Sequence, residues 1–239
     1  MSKATLRSTF AAGVCDVIPY KALSNIMNVL NGSFEERLRK SISFAWNVFA
    51  EKVGSGSLHI NKEASMQLHY SYILQQIVPL ICFDDDESVK IELETGVKVQ
   101  DKSREIDLVL FGSSKKSNYK IAVEMKCYRE YAASGGKRGA TDIFMKDVYE
   151  DLHLLESYCN LAGFDKGIAL VMNDLERLVN PKKKDAKCWD YDISNGTKVS
   201  NLHLTTPIGG KQVDLTVSKS YDFDWVQKNN FWFLENEGV

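Results

Sequence analysis

Hydrophobic residues along this chain change period several times, and each change marks an element. From Phe34 the apolar positions Phe34, Leu38, Ile42, Ala45, Trp46 and Phe49 recur at helical spacing, with Ser33 and Glu36 forming a capping box ahead of them. After the turn Gly54-Ser55-Gly56-Ser57 a second helix is predicted from an Asn61 cap to about Cys82, through Met66, Leu68, Tyr70, Ile73, Leu74 and Ile77. Pro79 bends or ends it. Alternation then takes over: Val89, Ile91 and Leu93 make 88–94 a strand, turned at Thr95-Gly96. Residues 104–111 and 119–127 are short apolar runs rich in β-branched residues, joined by the turn-rich loop 112–118, and predict an antiparallel hairpin.

Beyond the hairpin, Gly135-Gly136-Lys137-Arg138-Gly139 is a basic loop leading into a long helix over 141–162. Its stripe is Phe144, Val148, Leu152, Leu155 and Cys159, and Gly163 stops it. After Lys166, the run to Met172 is wholly apolar, as in a strand covered on both faces, and the helix before it makes a crossover that sets this 166–172 strand parallel to its partner. The order from the helices onward is helix, three strands, helix, strand. After Asn173 the pattern weakens to a hairpin over 203–206 and 212–218 and an aromatic tail over 221–234, which reads as core or dimer contact rather than a stacking platform for bases. A further helix is predicted over 21–30.

Composition narrows the class. With 239 residues, 44% hydrophobic and 26% charged, the chain is an ordinary globular domain with decorations. A formal net charge of −2 argues against tight nonspecific nucleic-acid binding, although local basic faces, not net charge, contact phosphates. Five cysteines without a C-x-x-C pair and four histidines without zinc spacing fit a reduced, cytoplasmic compartment. Asp16 breaks the N-terminal apolar run and no stretch approaches membrane-spanning length, so neither a secretory signal nor a membrane partner is expected.

The candidate chemistry lies in the central hairpin. With the loop symmetric about Lys115 and Lys116, Asp107 falls opposite Glu124 and Glu105 opposite Lys126. Glu124 and Lys126 share a face because side chains alternate, and a slip of one residue would break the arrangement. Two carboxylates about 5 Å apart on an otherwise apolar face (Val109, Phe111, Ala122) repel unless a cation lies between them, and Mg²⁺ is the hard ion that takes a few carboxylates and keeps waters. An ordinary cross-strand ion pair is the structural alternative. Against it, Glu124-Met125-Lys126 is the only Glu-x-Lys in the chain, and it stands in a buried-type strand.

Asp107 followed by Glu124-Met125-Lys126 on the next strand resembles the PD-(D/E)xK nuclease superfamily, over about 33–173; Ile106 stands where that motif carries proline. The resemblance implies an α/β fold with a restriction-endonuclease-like αβββαβ core, a mixed central sheet flanked by helices, and a C-terminal β and aromatic extension over 174–239, all in one domain. It further implies a Mg²⁺-dependent endodeoxyribonuclease of restriction or related defence type, with Mn²⁺ able to substitute, DNA as partner and a homodimer as assembly. Asp107, Glu124, the Met125 carbonyl and Glu63 are the implied metal ligands, with Lys126 beside them in catalysis. Glu63 comes from the helix before the sheet, ahead of Gln67 and His69. Arg129, Lys137 and Arg138 are the candidate phosphate contacts. The alternative is a non-catalytic nucleic-acid- or protein-binding module that keeps the fold.

Overall fold

The computed structural model describes residues 28–238. In chain order it holds helices α1 (Phe34–Gly54) and α2 (Glu63–Ile77), strands β1 (Ser88–Val99), β2 (Lys102–Ser113) and β3 (Asn118–Tyr128), helix α3 (Thr141–Leu161), strand β4 (Lys166–Asn173), the single turn α4 (Glu176–Val179), and strands β5 (Lys198–Leu204), β6 (Leu215–Asp222), β7 (Val226–Lys228) and β8 (Phe231–Glu237). Six strands form one mixed sheet in the order β1-β2-β3-β4-β8-β7, and β5 and β6 pair as a separate ribbon. The expected α/β succession runs from α2 to β4, and β4 lies parallel to β3, as a helical crossover requires. The helix expected over 21–30 lies almost wholly outside the described residues.

Alternation along the strands sorts the sheet's side chains into two cores. Leu108, Leu110, Ile121, Val123, Ile168 and Leu170 pack with α1 and α2 on one face. Val109, Ala122, Ala169 and Val171 pack with α3 and the β5–β6 ribbon on the other. Glu156 ties that ribbon to α3. It is buried, and its carboxylate accepts the Ser218 and Lys219 N–H groups and the Tyr221 hydroxyl at 2.8–3.1 Å, so a charge that would otherwise be costly is fully satisfied.

Ser33 and Glu36 form their capping box, but several expected boundaries move. Asn61 does not cap α2: Lys62 is the cap residue, and the Ser65 hydroxyl reaches back to the Asn61 and Lys62 N–H groups at 3.0 and 3.2 Å. The helix stops at Ile77 because Pro79 turns the next residues, Val78–Leu80, into a 3₁₀ segment. β1 does not turn at Thr95-Gly96; it continues to Val99, and Gln100 and Asp101 make the turn with φ of +48° and +63°. Pairing with β2 on both sides of Thr95-Gly96 outweighs the local turn preference of Thr-Gly, and two positive-φ residues give the primed turn that suits twisted strands. The β5–β6 strands also sit further from their connection than expected.

Of the C-terminal aromatics expected as core or dimer contact, Tyr221, Phe223, Trp225 and Phe233 are buried in the core, while Phe231 and Trp232 are half-buried against it. β8 adds antiparallel to β4 and carries Phe233 into a cluster with Trp46, Phe49 and Tyr70, ring centroids 5.2–6.3 Å apart. Phe233 is 2% exposed. Phe233→Ala is therefore expected to cost about 3–5 kcal/mol by chemical denaturation, the usual penalty for emptying a packed aromatic site. A loss below about 1 kcal/mol would show that β8 is a dispensable edge.

Candidate active site

The β2–β3 ladder runs from Ser113 opposite Asn118 to Leu108 opposite Val123. Asp107 and Glu124 come next in that register, as the symmetric loop implies. Beyond Leu108 the two strands part. β2 stays with β1, where Glu105 pairs with Gly96 and not with Lys126; β3 follows β4, where Lys126 pairs with Val171. The parting opens a cavity of about 530 Å³ whose wall includes Arg104, Asp107, Glu124, Lys126, Asp151 and Tyr158.

The β1–β2 ladder is irregular at the same point. Pairing skips Glu94 and Asp107, and Glu94 takes φ +51°, a left-handed conformation that costs a non-glycine residue about 1–3 kcal/mol. Gln67 of α2 spans the break: its Nε2 donates to the Asp107 carbonyl at 2.6 Å and to Glu94 Oε1 at 2.7 Å. Asp107 Oδ2 in turn accepts the Met125 N–H at 2.6 Å. Asp107 is thus fixed through both its main chain and its carboxylate.

Lys126 points into the same cavity. Its Nζ lies 3.3 Å from Asp151 Oδ2 and 3.6 Å from Glu63 Oε2. Glu124 is buried, and its Oε1 accepts the Tyr158 hydroxyl at 3.0 Å. The site therefore gathers Asp107, Glu124, Lys126 and Glu63, as the sequence predicts. It adds Asp151 and Tyr158, which the sequence reading missed. Both come from α3, seven residues apart and so on one side of the helix. The signal was a polar residue at 151 and a tyrosine at 158 next to stripe positions Leu152 and Cys159.

Four carboxylates around one ammonium make a strained set of charges. Burial raises the pKa of Glu63 and Asp107, and raises that of Glu124 far more, with the Asp151 and Asp107 charges adding to it. Burial pushes Asp151 from 3.8 up to about 8, against the pull of Lys126 and with the push of Asp107 and Glu63. Burial works against the Lys126 ammonium, but the surrounding carboxylates outweigh it and hold the proton more tightly than usual.

A raised carboxyl pKa in the folded chain contributes stability at low pH that is lost as pH rises through it. The metal-free protein is accordingly expected to melt at falling temperature between about pH 4 and pH 8, and Asp151→Asn to flatten that decline. Parallel melting curves for the two proteins would remove Asp151 as its source.

Among the described residues no three His, Cys, Asp or Glu side chains form a ready metal cage. The donors present nonetheless fit a divalent ion in kind: two facing carboxylates, Asp107 and Glu124, with the Met125 carbonyl directly after Glu124 in sequence, and an excess of buried acidic groups over cations. Mg²⁺ typically takes one or two carboxylates and keeps its remaining positions for water and phosphate oxygens.

The expected phosphate-contacting cations are engaged elsewhere. Arg129 pairs with Asp174 at 2.8 Å, donates to the Ile60 carbonyl and lies over the Phe231 ring. Lys137 pairs with Glu130 at 2.9 Å, and Arg138 donates to the Asn61 carbonyl at 3.0 Å. Arg129 and Arg138 thus tie the loop after β3 to the approach to α2. No helix among the described residues is long and apolar enough to cross a membrane. Comparison with models of protein families, with curated proteins and with solved structures returned no match.

Proposed function

We propose that this chain is a Mg²⁺-dependent phosphodiesterase acting on DNA, an endonuclease with a restriction-endonuclease-like core. The observation that carries this reading is the convergence of Asp107, Glu124 and Lys126 in one cavity where β2 and β3 part. Two further features support it: the α2-β1-β2-β3-α3-β4 succession with β4 parallel to β3, and Glu63 reaching the same cluster from the first turn of α2.

In this reading Asp107 and Glu124 hold the ion, with the Met125 carbonyl. A bound Mg²⁺ supplies Lewis acidity and a water of lowered pKa. Tyr158 fixes Glu124, while Gln67 and the Met125 N–H fix Asp107, so both carboxylates that would share the ion are held in place at the cavity wall. Lys126 keeps its proton under the influence of its neighbours, so its task is to place positive charge beside the phosphoryl oxygens as negative charge builds there, not to take a proton from the attacking water. Asp151 and Glu63 hold that ammonium in position.

The test is incubation of purified protein with a panel of plasmids in Mg²⁺, in Mn²⁺ and in chelator. Metal-dependent nicking or discrete fragments are expected. One observation favours the non-catalytic module instead: Lys126 already closes an ionic network with Asp151 and Glu63. Absence of cleavage of DNA and RNA in every metal, together with no heat of Mg²⁺ or Mn²⁺ binding in calorimetry, would establish that alternative.

A further inference from the structure

The active-site cavity does not end at the carboxylates. It shares the walls Arg104, Asp147, Glu150 and Leu154 with a second cavity of about 670 Å³, so the two form one continuous groove. The groove runs between α3, the β1–β2 tip and the β5–β6 connection. That connection is seated firmly. Ile208 pairs with Lys211 in a tight turn, Gly209 at φ +62° brings its backbone against Ile143 of α3, and the Thr206 carbonyl accepts the Tyr191 hydroxyl at 2.6 Å.

Charge along the groove is arranged unevenly. In the second cavity the acids are engaged: Asp147 and Glu150 close on Lys146 at 2.5 and 2.6 Å, and Asp214 is bonded to His203 at 2.8 Å, while Glu105, on the active-site side, enters no ion pair among the described residues. Three cations from separate places are not engaged. Lys102 at the β1–β2 turn, Arg104 on β2 and Lys211 in the β5–β6 turn enter no ion pair or side-chain hydrogen bond among the described residues, and all three line the groove. Phe, Tyr and Trp are missing from the second cavity's wall, so stacking on bases is not what it offers.

We propose that this groove is the path of the substrate strand, with Lys102, Arg104 and Lys211 contacting successive backbone phosphates that lead the scissile one to Asp107, Glu124 and Lys126. The inference rests on the phosphodiesterase reading and deepens it: the contacts are to phosphate, so this part of the surface holds nucleic acid without reading its sequence. It also replaces Arg129 and Lys137, which are paired with Asp174 and Glu130, and Arg138, which is bonded to the Asn61 carbonyl, as the cations that meet the backbone.

The test is fluorescence anisotropy with a labelled, mixed-sequence tailed DNA duplex in chelator across a salt series. Lys102→Gln/Arg104→Gln/Lys211→Gln is compared with the parent and with Lys182→Gln/Lys183→Gln outside the groove, and melting temperatures check the folds. The groove variant is expected to bind at least about tenfold more weakly at low salt and to lose about three from the slope of log K against log salt, one per phosphate contact. The control is expected to match the parent. Parental affinity and slope in the groove variant would overturn the inference, and so would an equal loss in the control. Cleavage by the parent in Mg²⁺, run alongside, tells the two readings apart: cleavage with an unaffected groove variant sinks only the groove, whereas neither binding nor cleavage sinks both.

Discussion

Asp107→Ala is expected to reduce Mg²⁺-dependent cleavage by about 10³-fold or more while leaving the metal-free protein about as stable as the parent. The two halves of this result have one cause. Asp107 is held in the cavity by the Met125 N–H and faces Glu124, and burial raises the pKa of both carboxyls. Its ionised form is thus a net cost to the folded chain, which the Met125 N–H and Lys126 offset in part and a bound cation would offset further. Removing it relieves repulsion in the metal-free state and removes a ligand in the loaded one. The measurement is single-turnover cleavage of plasmid alongside a Mn²⁺ titration and a melting curve. Normal nicking by the variant would dispose of the mechanism. Lost activity with a collapsed melting temperature would instead make Asp107 a structural residue.

The hairpin that carries the candidate site was legible because its information is local. A seven-residue loop, strict alternation and one Glu-x-Lys are enough to bring Asp107 beside Glu124, and the ladder follows that register up to the point where β2 and β3 part. The position of Glu63 was legible for a similar reason, since it opens a helix that ends beside the sheet. Partners far along the chain were not legible. Arg129 looked free because its carboxylate, Asp174, lies 45 residues further on, and Asp151 was hidden because helical periodicity rewards the apolar neighbours Val148, Leu152 and Leu155. The break at Glu94 was equally invisible, as nothing in Glu94-Thr95-Gly96 reveals that pairing will override the turn and place the strain at Glu94. The tail gave its aromatics but not its topology. That Phe233 enters the main sheet through β8 follows from the exposed edge of β4, which no local pattern reports.

Lys126→Ala carries the other large effect, and it reaches stability as well as chemistry. Lys126 is the one cation in ion-pair contact with this cluster among the described residues, at 3.3 Å from Asp151 and 3.6 Å from Glu63. Its removal leaves Glu63, Asp107, Glu124 and Asp151 facing one another without an offset. Breaking a buried pair from one side costs about 3–5 kcal/mol, and the lower end applies here because the Lys126 side chain keeps 20% exposure and the carboxyls can take up protons instead. That escape fixes the pH dependence. The carboxyl pKa values, already raised in the folded chain, rise further without Lys126, so the loss is largest near pH 8 and shrinks toward pH 5 as the acids protonate. Urea denaturation at the two pH values in chelator measures it, and an equal loss at both would mean that Lys126 acts by packing alone. Cleavage is expected to fall about 10²–10³-fold, the usual cost of one well-placed charge at a developing oxyanion. The same pair of experiments separates the two functional readings: in an ion-binding nuclease, Mg²⁺ restores part of the lost stability near pH 8, whereas in a metal-free binding module it restores none.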